Sequence, residues 1–132
     1  MLKYPKKKNN IMKTILIIDD EKELVGYLSM FIEKKGFNVL SAATGEEGSK
    51  LYKQNRPDCV FLDLHLTEMD GMTVLKEIKE IDPKASVYLA TGDDSPELRK
   101  KGEELGIKGY LLKPLDIRAV IKILSSLKKE GV

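Results

Sequence analysis

Cysteine is all but missing from this chain: Cys59 is the only one in 132 residues. That excludes an internal disulfide framework and a cysteine-based zinc site. Histidine is equally scarce, with His65 alone, so HExxH chemistry and multi-histidine metal sites are excluded as well. Long apolar runs are lacking. Ile15 to Ile18 is typical of those present, far short of the roughly 18 residues a membrane helix needs. The N-terminus carries lysines but no apolar stretch of the kind a signal peptide requires. A cytoplasmic protein with no membrane partner is the expectation.

What is present suits one soluble domain. Hydrophobic residues make up 42% and charged residues 33%, and a chain of this length can bury a sufficient core without staples. The net charge of +2 hides an asymmetry. Lys3, Lys6, Lys7, Lys8 and Lys13 fall in the first thirteen residues with no acid among them. Setting those five aside leaves 18 of the 23 basic residues against 21 acidic ones, a net charge of −3. The body is mildly acidic and the basic character is a tail. Pro5, Asn9 and Asn10 oppose a helix there, so residues 1–12 are expected to be a disordered basic extension. Residues 13–129 form the domain, and 130–132 a short tail. Met12 ahead of the first strand also reads as an alternative start.

Apolar periodicity alternates between two kinds of segment. Thr14–Ile18 is a β-branched apolar run suited to a strand buried on both faces. Leu24, Leu28, Phe31 and Ile32 then recur at helical spacing, with Gly36 as the stop. Phe37–Ala42 predicts a second strand, and Thr44 with Glu47 forms a capping box for a helix that Arg56-Pro57 ends. Cys59–Leu62 is a third strand. A loop through Asp70-Gly71 leads to a helix carrying Val74, Leu75 and Ile78, and Gly71 is expected to be a turn residue with positive φ. Ala85–Ala90 predicts strand four. Ser95-Pro96 then starts a helix whose only evident core positions are Leu98, Gly102 and Leu105. Lys108–Leu112 and a helix with Ile117, Val120, Ile121 and Leu124 complete the series. Five strands alternating with five helices imply a parallel sheet covered on both faces, an α/β three-layer sandwich.

Ligands of such sheets bind beyond the carboxyl ends of the strands. The residues there are Asp19 and Asp20 after strand one, Asp63 after strand three, Thr91 after strand four and Lys113 after strand five. Clustered carboxylates repel, and a hard divalent cation such as Mg²⁺ relieves the repulsion while leaving positions for phosphate oxygens. A lysine and a threonine hydroxyl can hold further phosphoryl oxygens. The set points to phosphoryl transfer with an aspartate as nucleophile.

ILIIDDE at 15–21, VFLDLHL at 60–66, MDG at 69–71, LATG at 89–92 and GYLLKP at 109–114 together resemble the receiver domain of two-component response regulators. The likeness runs from about Lys13 to Lys129. It implies a flavodoxin-like fold with strand order 2-1-3-4-5. It also implies that Asp63 accepts the phosphoryl group and that Asp20 binds Mg²⁺ directly. Asp19 would act through a metal-bound water, and the backbone carbonyl of His65 would be a further ligand. Thr91 matches the switch hydroxyl, Lys113 the lysine that pairs with phosphate, and Tyr110 the aromatic switch residue. Pro114 is expected to follow a cis bond. His65 and Asp93 line the approach to the phosphoryl group in this family. Thr67 departs from the pattern, standing where the family usually has proline.

The implied function is a phosphorylation-switched receiver in a two-component or phosphorelay system. It catalyses only its own phosphorylation and dephosphorylation, and so is not an enzyme in the usual sense. The phosphodonor would be a histidine kinase or histidine phosphotransfer protein. No helix-turn-helix follows the last helix, so output is expected through a downstream effector protein reading the helix 4–strand 5–helix 5 face, not through nucleic acid. Two alternatives stand beside this one. The first is a receiver fragment of a longer regulator or hybrid kinase. The second is a Mg²⁺-dependent phosphohydrolase, against which the placement of His65, rather than an acid, two residues after Asp63 counts.

Overall fold

The computed structural model describes residues 12–130. The basic extension over 1–12, Met12 apart, and the tail beyond Glu130 lie outside the described residues. The order of elements is β1 (Thr14–Ile18), α1 (Lys22–Lys34), β2 (Asn38–Ala42), α2 (Gly45–Asn55), β3 (Cys59–Leu62), α3 (Gly71–Ile81), β4 (Val87–Thr91), α4 (Pro96–Glu104), β5 (Gly109–Leu112) and α5 (Ile117–Glu130). All strand pairs are parallel, in the order β2-β1-β3-β4-β5. This is the flavodoxin-like layout expected above.

The two-residue period of a strand explains why the core divides into two layers. Along β1, Leu16 and Ile18 face one side and join Val60, Leu62 and Leu89, with Tyr52 of α2 and Val74, Leu75 and Ile78 of α3. Ile15 and Ile17 face the other side, against Leu28 and Ile32 of α1 and Val120, Leu124 and Leu127 of α5. β3 throughout and β1 from Ile15 to Ile18 are apolar and buried because both their faces are covered.

Local chemistry sets the ends of the elements. Gly36 and Gly106 take φ of +95° and +89°, and Arg56 closes α2 in the left-handed region. Thr44 Oγ1 accepts from the Glu47 amide at 3.1 Å, and Ser95 Oγ accepts from that of Leu98 at 3.2 Å, with Pro96 at the first turn. β4 begins two residues later than its apolar run suggests. The Ala85 amide closes a turn onto Asp82 O at 2.9 Å, and its carbonyl accepts from Lys79 Nζ at 2.7 Å, so Ala85 belongs to the turn. At the other end Thr91 pairs with Leu112 and is the last residue of the strand.

Gly71 differs from expectation, for its φ is not positive. It is the first residue of α3, and a Cβ there would stand 2.5 Å from both Asp63 O and Leu64 Cα. Close approach, not turn geometry, demands glycine: α3 starts directly against the backbone that follows β3.

α4 is the lightly anchored helix. α3 buries Met72, Val74, Leu75 and Ile78, while α4 fully buries only Gly102 and half-buries Leu98 and Leu105. At about 1.5–3 kcal/mol per buried large apolar side chain, the difference amounts to several kcal/mol.

Candidate functional site

Because all five strands run the same way, the residues after β1, β3, β4 and β5 meet at one edge. Backbone bonds set them there: the Asp19 amide donates to Ala42 O (3.0 Å), that of Asp63 to Ile18 O (3.0 Å) and that of Lys113 to Thr91 O (2.9 Å). Asp19, Asp20 and Asp63 each bring a carboxylate oxygen within 4.8 Å of the others. Asp19 and Asp63 are buried, and Asp20 is half-exposed.

Lys113 is the cation of this pocket. Its Nζ lies 2.8 Å from Asp19 Oδ2, 2.9 Å from Glu21 Oε2 and 3.0 Å from Asp63 Oδ2. Burial opposes its charge, but the hydrogen bonds to Asp19, Glu21 and Asp63 outweigh burial and hold its pKa above the ordinary lysine value. Burial is also the leading influence on Asp19, whose pKa is raised even though Lys113 and the Glu21 amide pull it down. One ammonium shared among three carboxylates does not fully compensate a buried one.

The strand ends around Asp63 are held from several sides. The His65 amide donates to Asp63 Oδ1 at 3.1 Å, and that of Glu21 donates to Asp19 Oδ1 at 2.9 Å. Asp20 Oδ2 accepts from Thr67 Oγ1 at 2.5 Å. The Lys113–Pro114 peptide is cis. Thr91 is fully buried, and its Oγ1 accepts from the Asp93 amide at 3.4 Å. The Tyr110 hydroxyl donates to the Asp93 carbonyl, and the Arg99 guanidinium lies over the Tyr110 ring at 4.4 Å.

Asp19, Asp20, Asp63 and Lys113 therefore meet in one cluster. Thr91 and Tyr110 lie beside it, joined through Asp93. Two contributors, Glu21 and Thr67, were not among the expected site residues. Glu21 shares Lys113, but an acid at the N-cap of a helix gives no hint of a partner 92 residues away. His65 and Asp93, both expected along the approach to Asp63, pair with each other, His65 Nε2 meeting Asp93 Oδ2 at 3.0 Å; that bond is the leading cause of a lowered Asp93 pKa. Thr67 was legible only as a departure from pattern.

Residues 15–125 match the response regulator receiver domain family. The chain belongs to that family. It is 33% identical over 120 residues to the probable transcriptional regulatory protein TcrX of Mycobacterium tuberculosis, covering 90% of this chain and 51% of that protein. It is 32% identical over 126 residues to the chemotaxis protein CheY of Treponema pallidum, covering 93% of this chain and 88% of that protein. The chain thus spans about half the length of the first and most of the second. Among solved structures, a CheY-like receiver domain protein from Methanospirillum hungatei superposes with a TM-score of 0.82 at 26% identity, covering 92% of this chain and all of that one. Receiver domains are phosphorylation switches of two-component systems, bind Mg²⁺ at an acidic pocket and are not in general a class of enzymes. Among the described residues no helix is long and apolar enough to cross a membrane.

Proposed function

We propose that Asp63 accepts a phosphoryl group from a phosphohistidine donor, and that the change is read by an effector protein at the face formed by α4, β5 and α5. The observation that carries this reading is the convergence of three carboxylates within 4.8 Å with the Lys113 ammonium 3.0 Å from Asp63. The donor set is all hard oxygen, partly uncompensated and open on the Asp20 side, which fits Mg²⁺. Asp20 and Asp63 would hold the ion through carboxylate oxygens, Asp19 through water, and His65 through its carbonyl. When bound, the ion neutralises charge on the phosphoryl oxygens.

The residues of the chain do the rest. The Asp63 carboxylate attacks phosphorus and the donor's P–N bond breaks, its electron pair leaving with the imidazole. Lys113 stays beside Asp63 and pairs with one phosphoryl oxygen. The Thr91 hydroxyl donates to another, exchanging its contact with the Asp93 amide for one with phosphate. Tyr110 shares Asp93 with Thr91, so this exchange disturbs its anchorage. The donor's approach is favoured by an apolar cleft of about 540 Å³ beside Lys113, lined by Leu24, Tyr27, Pro114 and Leu115, where Tyr27 is 64% exposed.

Incubation with acetyl phosphate and Mg²⁺ should add one phosphoryl group, labile to hydroxylamine. Asp63→Asn should take up none. Equal uptake by Asp63→Asn would overturn the assignment.

A further inference from the structure

Asp20 is the one carboxylate of the cluster that Lys113 does not reach. Lys113 pairs with Asp19, Glu21 and Asp63, while among the described residues the Asp20 side chain has a single partner, the Thr67 hydroxyl at 2.5 Å from Oδ2. That length is typical of an O–H donor on an ionised carboxylate.

The hydroxyl is mounted on a closed loop. The Gly71 amide donates to Leu64 O at 2.9 Å, and His65 and Asp70 form an antiparallel bridge between the loop's two ends. Asp70 in turn caps α3, its Oδ1 accepting from the Met72 amide at 3.2 Å. Thr67 therefore stands on a fixed support and faces a residue on the far side of the cleft lined by Asp20 and residues 64–70. A half-exposed aspartate repelled by Asp19 and Asp63 would otherwise turn toward water.

We infer that Thr67 is a positioning residue for the cation site: its hydroxyl holds the Asp20 carboxylate in the orientation that receives Mg²⁺. This rests on the proposed Mg²⁺ reading and names a residue that reading does not use. Two effects of the hydroxyl oppose each other. Donation to Oδ2 withdraws some negative charge, which weakens cation binding. Fixing the carboxylate against the repulsion of its neighbours strengthens it, and leaves Oδ1 and a second lone pair of Oδ2 available. Partners that orient a metal ligand are commonly worth about 10–100-fold in affinity. For an exposed bond the lower end applies, so orientation outweighs charge withdrawal.

The test is calorimetric Mg²⁺ titration of the intact chain, with amide resonances of residues 20 and 67 followed in parallel. Thr67→Val keeps the branched shape without the hydroxyl and should weaken Mg²⁺ binding roughly 10-fold. Thr67→Ser keeps the hydroxyl and should retain most of the affinity. In the wild type the two amides should shift together with one midpoint. Unchanged or tighter binding by Thr67→Val overturns the inference, as does equal weakening in Thr67→Ser, which would assign the effect to loop shape. A wild-type chain that binds no Mg²⁺ overturns the cation reading itself, a result distinct from either.

Discussion

Asp19 holds its proton more tightly in the folded pocket than in the unfolded chain, because burial outweighs its bonds to Lys113 and the Glu21 amide. The sign of the consequence follows from linkage. Above the unfolded value of 3.8 the folded state binds more protons at this site than the unfolded state, so this site makes the metal-free protein lose stability as the pH rises through the raised pKa. Asp19→Asn removes that titration. The melting temperature of Asp19→Asn minus that of the wild type, both in EDTA, should become more positive between about pH 4 and neutrality. A difference that stays flat or falls would show that Lys113 compensates Asp19 fully. Among single residues, those at strand ends were legible in the sequence because a parallel sheet places every strand end by rule. Glu21 and Thr67 were not, because their roles depend on partners 92 and 47 positions away. Gly71 was noticed for the wrong reason: the steric demand comes from Asp63 O and Leu64 Cα, which local turn chemistry does not reveal.

Among the elements, α4 is the helix held most lightly to the core. Its grip on the core is confined to Gly102 and the half-buried Leu98 and Leu105, while Arg99 ties it to the Tyr110 ring and to Asp94 at 2.8 Å. Gly102 lowers helix propensity by about 1 kcal/mol relative to alanine, and the packing explains its presence, since a Cβ there would come within 2.9 Å of Leu89 Cδ1. On the proposed function, beryllofluoride standing in for the phosphoryl group should move amide resonances at Thr91, Tyr110 and Gly102. In Thr91→Ala the shifts near Asp63 should persist while those at Tyr110 and Gly102 largely vanish. Undiminished distal shifts would remove Thr91 from the coupling. All ten elements could be read from apolar period and caps. Their ends were less legible where a run such as that beginning at Ala85 continues through a turn, because apolarity records burial, not pairing.

At the scale of the molecule, a ligand that binds only the folded pocket stabilises the whole chain by mass action. Mg²⁺ at about 100 times its dissociation constant should add about 2.7 kcal/mol, raising the melting temperature by several degrees for a domain of this size. Asp20→Ala should abolish the rise, and an unchanged rise would place the ion elsewhere. The architecture and the strand-end cluster were both legible, since alternating βα units have one common solution for their handedness and direction. The pocket draws on positions from Asp19 to Lys113, contributed by four strands that become neighbours only through successive crossovers. The last of these, through α4, brings in β5 and with it Lys113. A chain in which β5 is not yet docked would lack the ammonium that stands beside Asp63 in the finished fold. On the proposed function, competence to receive the phosphoryl group would therefore come only once the sheet is finished, and an immature copy would not answer for a mature one.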